Sequence, residues 1–447
     1  MASSILPLDV FGQSPRLHGL YTQLCFTFEL DHLVSAKQLE VENHLRAGLK
    51  YLADRIPWVG GNVVKTANGL YVIQCTGDSP ALVVRDATSE LPDYDTMRRA
   101  HFPASMLDEV KIASRSTLPT REEARTPVFV VQATFVRDGL LLDFDAQHNC
   151  MDMRAQAELI RLFAKACRAE PFTQDEIELA DRATHEFGYK DSEVGELEVV
   201  ETTFQSHFET RAAQTNENSE KPSWAYFSFS SASLARLKGV AAHDITTDFI
   251  STDDALSALL WQAVARARRH RIGPADTSCK LERQVDARKH VGVPSEYIGN
   301  ITFKSETSLT LDTVLEEPLG QVASHLRRAL EPTPSIKDSM QSTATKLRRE
   351  LDSPSSIKAS AQRGSLPPST IRLSSWAKEA CADLDFGHLL HMPDAVRRPS
   401  FKAWEGLAYF LPRSRDGEIA VMVCLKDDDL MRLRKDEVFC SFGDYIG

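Results

Sequence analysis

The residues whose types and spacing point most directly to chemistry are His148 and Asp152, in the stretch Gln147-His148-Asn149-Cys150-Met151-Asp152. An imidazole titrates near neutral pH, so it can take a proton from a hydroxyl or amine and return it to a leaving group. Of the 13 histidines, His148 alone has an aspartate at the fourth position after it. The same spacing has a plain structural reading, in which Asp152 caps a helix and His148 is a satisfied turn residue. Cys150 lies inside the motif, but its neighbours suit a basic histidine better than an activated thiol.

The elements that must position this pair follow from the flanking pattern. Pro127 to Val136 and the run from Leu140 that ends in His148 are apolar stretches separated by Arg137-Asp138-Gly139, and Asp-Gly between two such runs predicts a hairpin. After Asp152, apolar residues at Ala155, Leu159, Ile160, Leu162, Phe163 and Ala166 keep a helical period through Arg168. The predicted order is strand, turn, strand, His-x-x-x-Asp, helix.

Composition narrows the classes. A chain of 447 residues exceeds one ordinary core and predicts more than one domain. A hydrophobic fraction of 42% and 26% charged residues are those of a globular protein. The formal net charge of −11 argues against a general nucleic-acid binder. The sequence has no apolar run long enough for a membrane span and no recognisable secretory signal, and its scattered cysteines read as reduced, so a cytoplasmic protein is expected; a monomer is expected as well. The 8 cysteines are scattered without Cys-x-x-Cys pairs and predict neither a disulfide frame nor a metal site.

Along the chain, Tyr21 to Leu30 predicts a first strand. Ser35 to Ile56 predicts an amphipathic helix with Leu39, Val41, Leu45, Leu49 and Leu52 on one side. The expected units are an N-terminal domain over residues 1–169, a solvated acidic crossover over 170–221 and a C-terminal domain over 222–447. In the last, Trp224 to Phe229 predicts a strand and Ser251 to Arg269 a capped helix. Its basic end, from Arg266 to Arg271, suits the helix dipole better than an anion site. Residues 332–368 read as a surface excursion with one helix. Ser414-Arg415-Asp416-Gly417 predicts a second Asp-Gly hairpin.

Several separated stretches together resemble the BAHD family of CoA-dependent acyltransferases. They are His148-x-x-x-Asp152, Val285-Asp286-Ala287-Arg288, Ser374-Ser375-Trp376 and Asp385-Phe386-Gly387. Ser251 to Ala258, Val396-Arg397-Arg398-Pro399 and Tyr445-Ile446-Gly447 resemble the branch of fungal trichothecene 3-O-acetyltransferases in particular. The likeness runs from about Leu8 to Gly447.

The resemblance implies an α/β fold of two chloramphenicol-acetyltransferase-like domains with mixed sheets and an active-site channel between them. It implies acyl-CoA, with acetyl-CoA the expected donor, as co-substrate and no permanently bound cofactor or metal. A small-molecule alcohol is the expected acceptor, on a bulky terpenoid or polyketide. By the likeness, His148 is the general base in a ternary complex and Asp152 pairs with Arg288 to brace its turn. Ser374 faces the oxyanion, Trp376 walls the channel, and Asp385 and Gly387 hold the C-terminal domain in shape. Two departures are visible: Met153-Arg154 stands where the family has Asp-Gly, and Leu389 stands where a second glycine follows Asp-Phe-Gly. The latter predicts a different backbone path for that loop. N-acylation of an amine and a degenerate ligand-binding member of the same fold remain open alternatives. A carrier-protein enzyme of the condensation-domain kind is disfavoured, because Gln147 stands where such domains have a second histidine.

Overall fold

The computed structural model describes residues 5–30, 35–118, 126–181, 221–331, 333–352 and 366–447. Its first layer is built on the Asp138-Gly139 hairpin. β7 (Phe129–Val136) and β8 (Gly139–Gln147) pair antiparallel with Val136 opposite Gly139, and Asp138 takes the left-handed conformation at φ 57°. A Cβ on Gly139 would lie 2.1 Å from the Tyr94 ring, so the strand can start there only with glycine. β2 (Tyr21–Glu29) pairs with the other edge of β8, Tyr21 opposite Gln147. β5 (Ala81–Asp86) adds parallel to β7.

One face of this sheet is covered by the helices Ser35–Arg55 and Met153–Cys167. Val41, Leu45, Leu49 and Leu52 are buried as the periodicity predicts, whereas Leu39 is 57% exposed because the core has ended at that turn of the helix. A small sheet of β1 (Ile5–Pro7), β4 (Tyr71–Gln74), β3 (Asn62–Lys65) and β6 (Thr126–Pro127), in that order, flanks the layer.

The second layer is a larger mixed sheet. Its order is β11 (Thr302–Thr310), β10 (Ser278–Asp286), β12 (Thr370–Ser375), β14 (Leu407–Phe410), β15 (Ile419–Lys426), β9 (Pro222–Phe229) and β16 (Asp444–Tyr445). The helix Thr252–Ile272 packs on one face and opens with a capping box between Ser251 and Asp254. Its basic end is consumed in ion pairs, Arg266 with Asp436 at 2.6 Å and Arg268 with Glu405 at 3.1 Å. The other face of the sheet turns toward the first layer, where Tyr226, Ala420 and Met422 enter the same core as Phe26 and Phe144.

The halves interlock. β13 (Ala395–Arg397), from the second half, pairs antiparallel with β2 of the first sheet, Ala395 opposite Thr27. The crossover also departs from its expectation. Residues Gln174–Ala180 form a helix with a Thr173–Glu176 capping box, and Trp58 Nε1 donates to Ala180 O at 3.0 Å. The remainder of that crossover, 182–220, lies outside the described residues.

Candidate active site

β8 delivers His148 into a turn, half-buried, with both faces of the strand leading to it buried. The backbone of that turn is held from distant parts of the chain. His148 N donates to Leu20 O at 2.7 Å, and Asn300 Nδ2 donates to His148 O at 3.0 Å. Asn300 N in turn donates to Asp9 Oδ2 at 2.9 Å, while Asp9 Oδ1 accepts from Gly12 N at 2.9 Å. Gly12 lies so close to the turn that a Cβ there would sit 2.3 Å from Asn149 O. A side chain at position 12 would therefore push the N-terminal segment off the histidine loop.

Asp152 performs both of the roles its spacing allows. It is the N-cap of the helix Met153–Cys167, its Oδ1 accepting from Ala155 N at 2.9 Å. The same carboxylate pairs in bidentate fashion with Arg288: Nη2 reaches Oδ1 and Nη1 reaches Oδ2, each at 3.0 Å. Oδ2 also accepts from Ile301 N at 2.8 Å. Both side chains are 1% exposed. Such a pair costs desolvation when it forms and is expensive to break, so its physical content is fixed geometry. Arg288 uses its remaining donors on Tyr297 O at 3.2 Å, Gly299 O at 2.9 Å and Asp286 at 2.8 Å. Neighbouring carboxylates outweigh burial and hold the guanidinium charged.

Met153 and Arg154, the departure from Asp-Gly, find work in this geometry. Met153 is buried in the first-layer core, and Arg154 reaches across to Glu379 at 3.1 Å and Ser295 O at 2.9 Å. Burial pushes the Glu379 carboxyl up, with Arg154 acting against it.

Ser374 and Trp376 stand on the sheet face turned toward the first layer. Cross-strand register puts Gln284, Ser374, Tyr409, Met422 and Tyr226 in one row over five strands. Gln284 belongs to the strand that runs on into Arg288. Trp376 Nε1 donates to Ser374 Oγ at 2.9 Å. With its oxygen engaged as acceptor, the Ser374 hydroxyl has its own proton to donate elsewhere.

Asp385 and Gly387 flank Phe386, whose ring plugs into the first layer. Phe386 is fully buried, its ring 5.5 Å from Phe26, 5.4 Å from Phe28 and 6.1 Å from Phe144. Asp385 Oδ1 accepts from Gly387 N at 2.9 Å, Arg168 donates to Asp385 O, and His44 Nε2 meets Phe386 O at 2.7 Å. Gly387 has φ 90°, and the second left-handed residue of the loop is His391 at φ 56°. Leu389 therefore needs no glycine conformation, which is how the sequence tolerates it.

On the other face of β8, Asp143 and Asp145 are fully buried. Asp145 Oδ2 accepts from Ser114 N at 3.0 Å and Ser114 Oγ at 2.5 Å. Burial, joined by the neighbouring Asp145, pushes Asp143 well up; burial lifts Asp145 to about 6 against its hydrogen bonds to Ser114. Among the described residues no cluster of His, Cys, Asp or Glu has the form of a metal site, and none of the 8 cysteines is in a disulfide. Cys150 is a fully buried core residue. Among the described residues no helix is long and apolar enough to cross a membrane.

The sequence pattern points to His148, Asp152 and Arg288 and marks Arg154 only as a departure from the family pattern, while Asp9, Gly12 and Asn300 carry no signal in it. Nothing local ties Asn300 to a turn so distant in the chain.

Two interlocked α/β layers hold the histidine turn between them, and the same architecture is found in known acyltransferases. Residues 20–167 match the model of the trichothecene 3-O-acetyltransferase-like N-terminal domain. An O-acetyltransferase of Cryptosporiopsis is 40% identical over 98% of this chain and 97% of its own. The trichothecene 3-O-acetyltransferase of Fusarium sporotrichioides is 36% identical over 99% and 97%. The crystal structure of the latter with coenzyme A and T-2 covers 100% of both chains at TM-score 0.85 and 35% identity. Vinorine synthase shares the fold at TM-score 0.67 and 14% identity, over 99% of this chain and 95% of its own. The chain belongs to the trichothecene 3-O-acetyltransferase-like family. It is a CoA-dependent acyltransferase, with acyl-CoA as co-substrate.

Proposed function

We propose that this enzyme transfers an acetyl group from acetyl-CoA to a hydroxyl of a bulky, largely apolar secondary metabolite, with His148 as general base. The observation that carries this reading is the clamp on the His148 turn. Bidentate Asp152–Arg288 pairing at 3.0 Å and the Asn300 bond to His148 O at 3.0 Å fix the turn that carries the half-buried His148 at the junction of the layers. Rigid presentation of a base is what proximity and orientation require.

In this mechanism His148 takes the proton of the acceptor hydroxyl as its oxygen attacks the thioester carbonyl. The carbonyl oxygen gains the charge and receives the Ser374 proton as a hydrogen bond. Collapse of the tetrahedral species breaks the carbon–sulfur bond, and the imidazolium returns its proton to the CoA thiolate. Trp376 keeps the Ser374 oxygen in place throughout. Relatives named as O-acetyltransferases over nearly the whole chain support the choice of oxygen over nitrogen.

The test is release of free CoA from acetyl-CoA with a panel of terpenoid and polyketide alcohols, His148→Ala run in parallel. Turnover is expected to fall by about 10²- to 10⁴-fold in that variant with thermal stability kept. A wild-type enzyme that releases no CoA with any panel member, or a His148→Ala variant that matches it, ends this reading.

A further inference from the structure

The Arg397-Arg398 pair has no part in the mechanism above, and its second member sits where the chain passes from β13 of the first sheet toward β14 of the second. Arg398 is 3% exposed. Its guanidinium lies over three rings: Tyr409 at 4.2 Å, Phe401 at 4.4 Å and Trp376 at 5.2 Å from the centroids. Tyr226 fixes its backbone, the phenol oxygen accepting from Arg398 N at 3.0 Å and donating to Arg398 O at 2.5 Å. Yet among the described residues the guanidinium makes no hydrogen bond and no ion pair, and its Nε is buried without a partner. Two carboxyls feel its charge, Glu109 and Asp143. Burial raises both, and Arg398 works against that rise without either coming within ion-pair distance. The guanidinium is thus enclosed by rings while, among the described residues, its N–H donors stay unspent.

Their place in the site follows from register. Tyr409 is the neighbour of Ser374 in the row across the sheet, and Trp376, the other ring face, is hydrogen-bonded to Ser374. The guanidinium therefore packs on the two aromatic side chains, Tyr409 and Trp376, that adjoin Ser374. A buried planar fork between aromatic faces matches an sp² oxygen on a flat or polycyclic molecule.

We propose that Arg398 is a specificity-determining residue, whose guanidinium donates to a ketone oxygen of the acyl acceptor while the rings of Trp376, Phe401 and Tyr409 shape the wall around it. The proposal rests on the acyl-transfer reading above and adds the acceptor's second functional group to it. The test compares a hydroxydecalone with the matching decalol that lacks the ketone, each with acetyl-CoA, in wild type, Arg398→Met and Arg398→Lys. Met fills the aromatic box without donors, and Lys keeps the charge without the fork. The expected result is a KM for the hydroxydecalone raised about tenfold or more in Arg398→Met and partly recovered in Arg398→Lys. The decalol KM, the acetyl-CoA KM and kcat stay near wild type. Equal effects on both alcohols, or a fall in thermal stability with unchanged KM in the folded fraction, overturn it and leave Arg398 a structural residue. A wild-type enzyme silent on both alcohols and on the wider panel removes the acyl-transfer reading itself, and this proposal with it.

Discussion

Replacing Asp152 separates the helix cap from the clamp, because the two roles use different chemistry of one carboxylate. In Asp152→Asn the retained oxygen can still accept from Ala155 N and Arg288 Nη2. The new amide group then faces Arg288 Nη1 and Ile301 N, two donors where the carboxylate accepted at 3.0 Å and 2.8 Å. Breaking a buried pair from one side costs about 3–5 kcal/mol, and an orphaned buried N–H about 1–3 kcal/mol. Asp286, 2.8 Å from Arg288 Nη1 but 43% exposed, returns little, about 0–1 kcal/mol as for other solvent-screened pairs. The net expectation is a loss of about 3–5 kcal/mol, read by denaturant unfolding, with kcat falling as the His148 turn loosens. Asp152→Ser is the decisive companion, since serine caps a helix as well as aspartate. If capping were all, Asp152→Ser would unfold and turn over like wild type, and Arg288→Met would be silent. The clamp instead requires both variants to be impaired and the double variant to lose less than their sum, by about 1–3 kcal/mol. Additive losses with full activity refute the clamp.

Further expectations concern the rest of the site. Ser374→Ala should lower kcat by about 10- to 10³-fold at unchanged KM for acetyl-CoA in steady-state kinetics, and Trp376→Phe should show a smaller loss of the same kind. Phe386→Ala, which empties the centre of the first-layer aromatic cluster, should cost about 3–5 kcal/mol in denaturant unfolding. Asp145 is raised by burial from 3.8 to about 6, so the folded state binds more protons than the unfolded one between those values, and stability falls as pH rises through that window. Asp143→Asn removes a neighbouring carboxylate and should make the protein more stable at pH 7.5, on the order of 1–3 kcal/mol, with a flatter pH profile of the melting temperature. A variant no more stable than wild type at that pH contradicts the assignment.

The parts of this site that the sequence announces are those encoded locally. Asp138-Gly139 and Asp416-Gly417 are turn chemistry, and Ala155 to Ala166 is helix periodicity, so hairpin, strand and helix around His148 are legible from adjacent residues. Asp152 and Arg288 become legible as a pair only through family likeness, because their contact spans the two layers. Asp9 and Asn300 carry no local signature at all: each is one polar residue in a loop, and what makes them matter is a hydrogen bond formed after the layers close. The helix Gln174–Ala180 was masked by acidic composition, although Thr173 and Glu176 spell a capping box in that same stretch.

The departures from family pattern follow the same logic. At the two departures the chain carries side chains with contacts of their own, Leu389 against the first-layer core and Arg154 in a polar bridge. His391 takes a left-handed turn near Leu389, and Arg154 exchanges a flexible position for a bridge to Glu379 and Ser295. Phe386 and β13 anchor the second half in the core of the first, while Arg288 and Asn300 reach back from the second half to the His148 turn. The histidine is thus positioned by contacts that exist only when both layers are folded and docked. Variation that loosens docking should therefore lower kcat, as the proposed role of His148 requires, and steady-state kinetics of variants at Asn300 would read it.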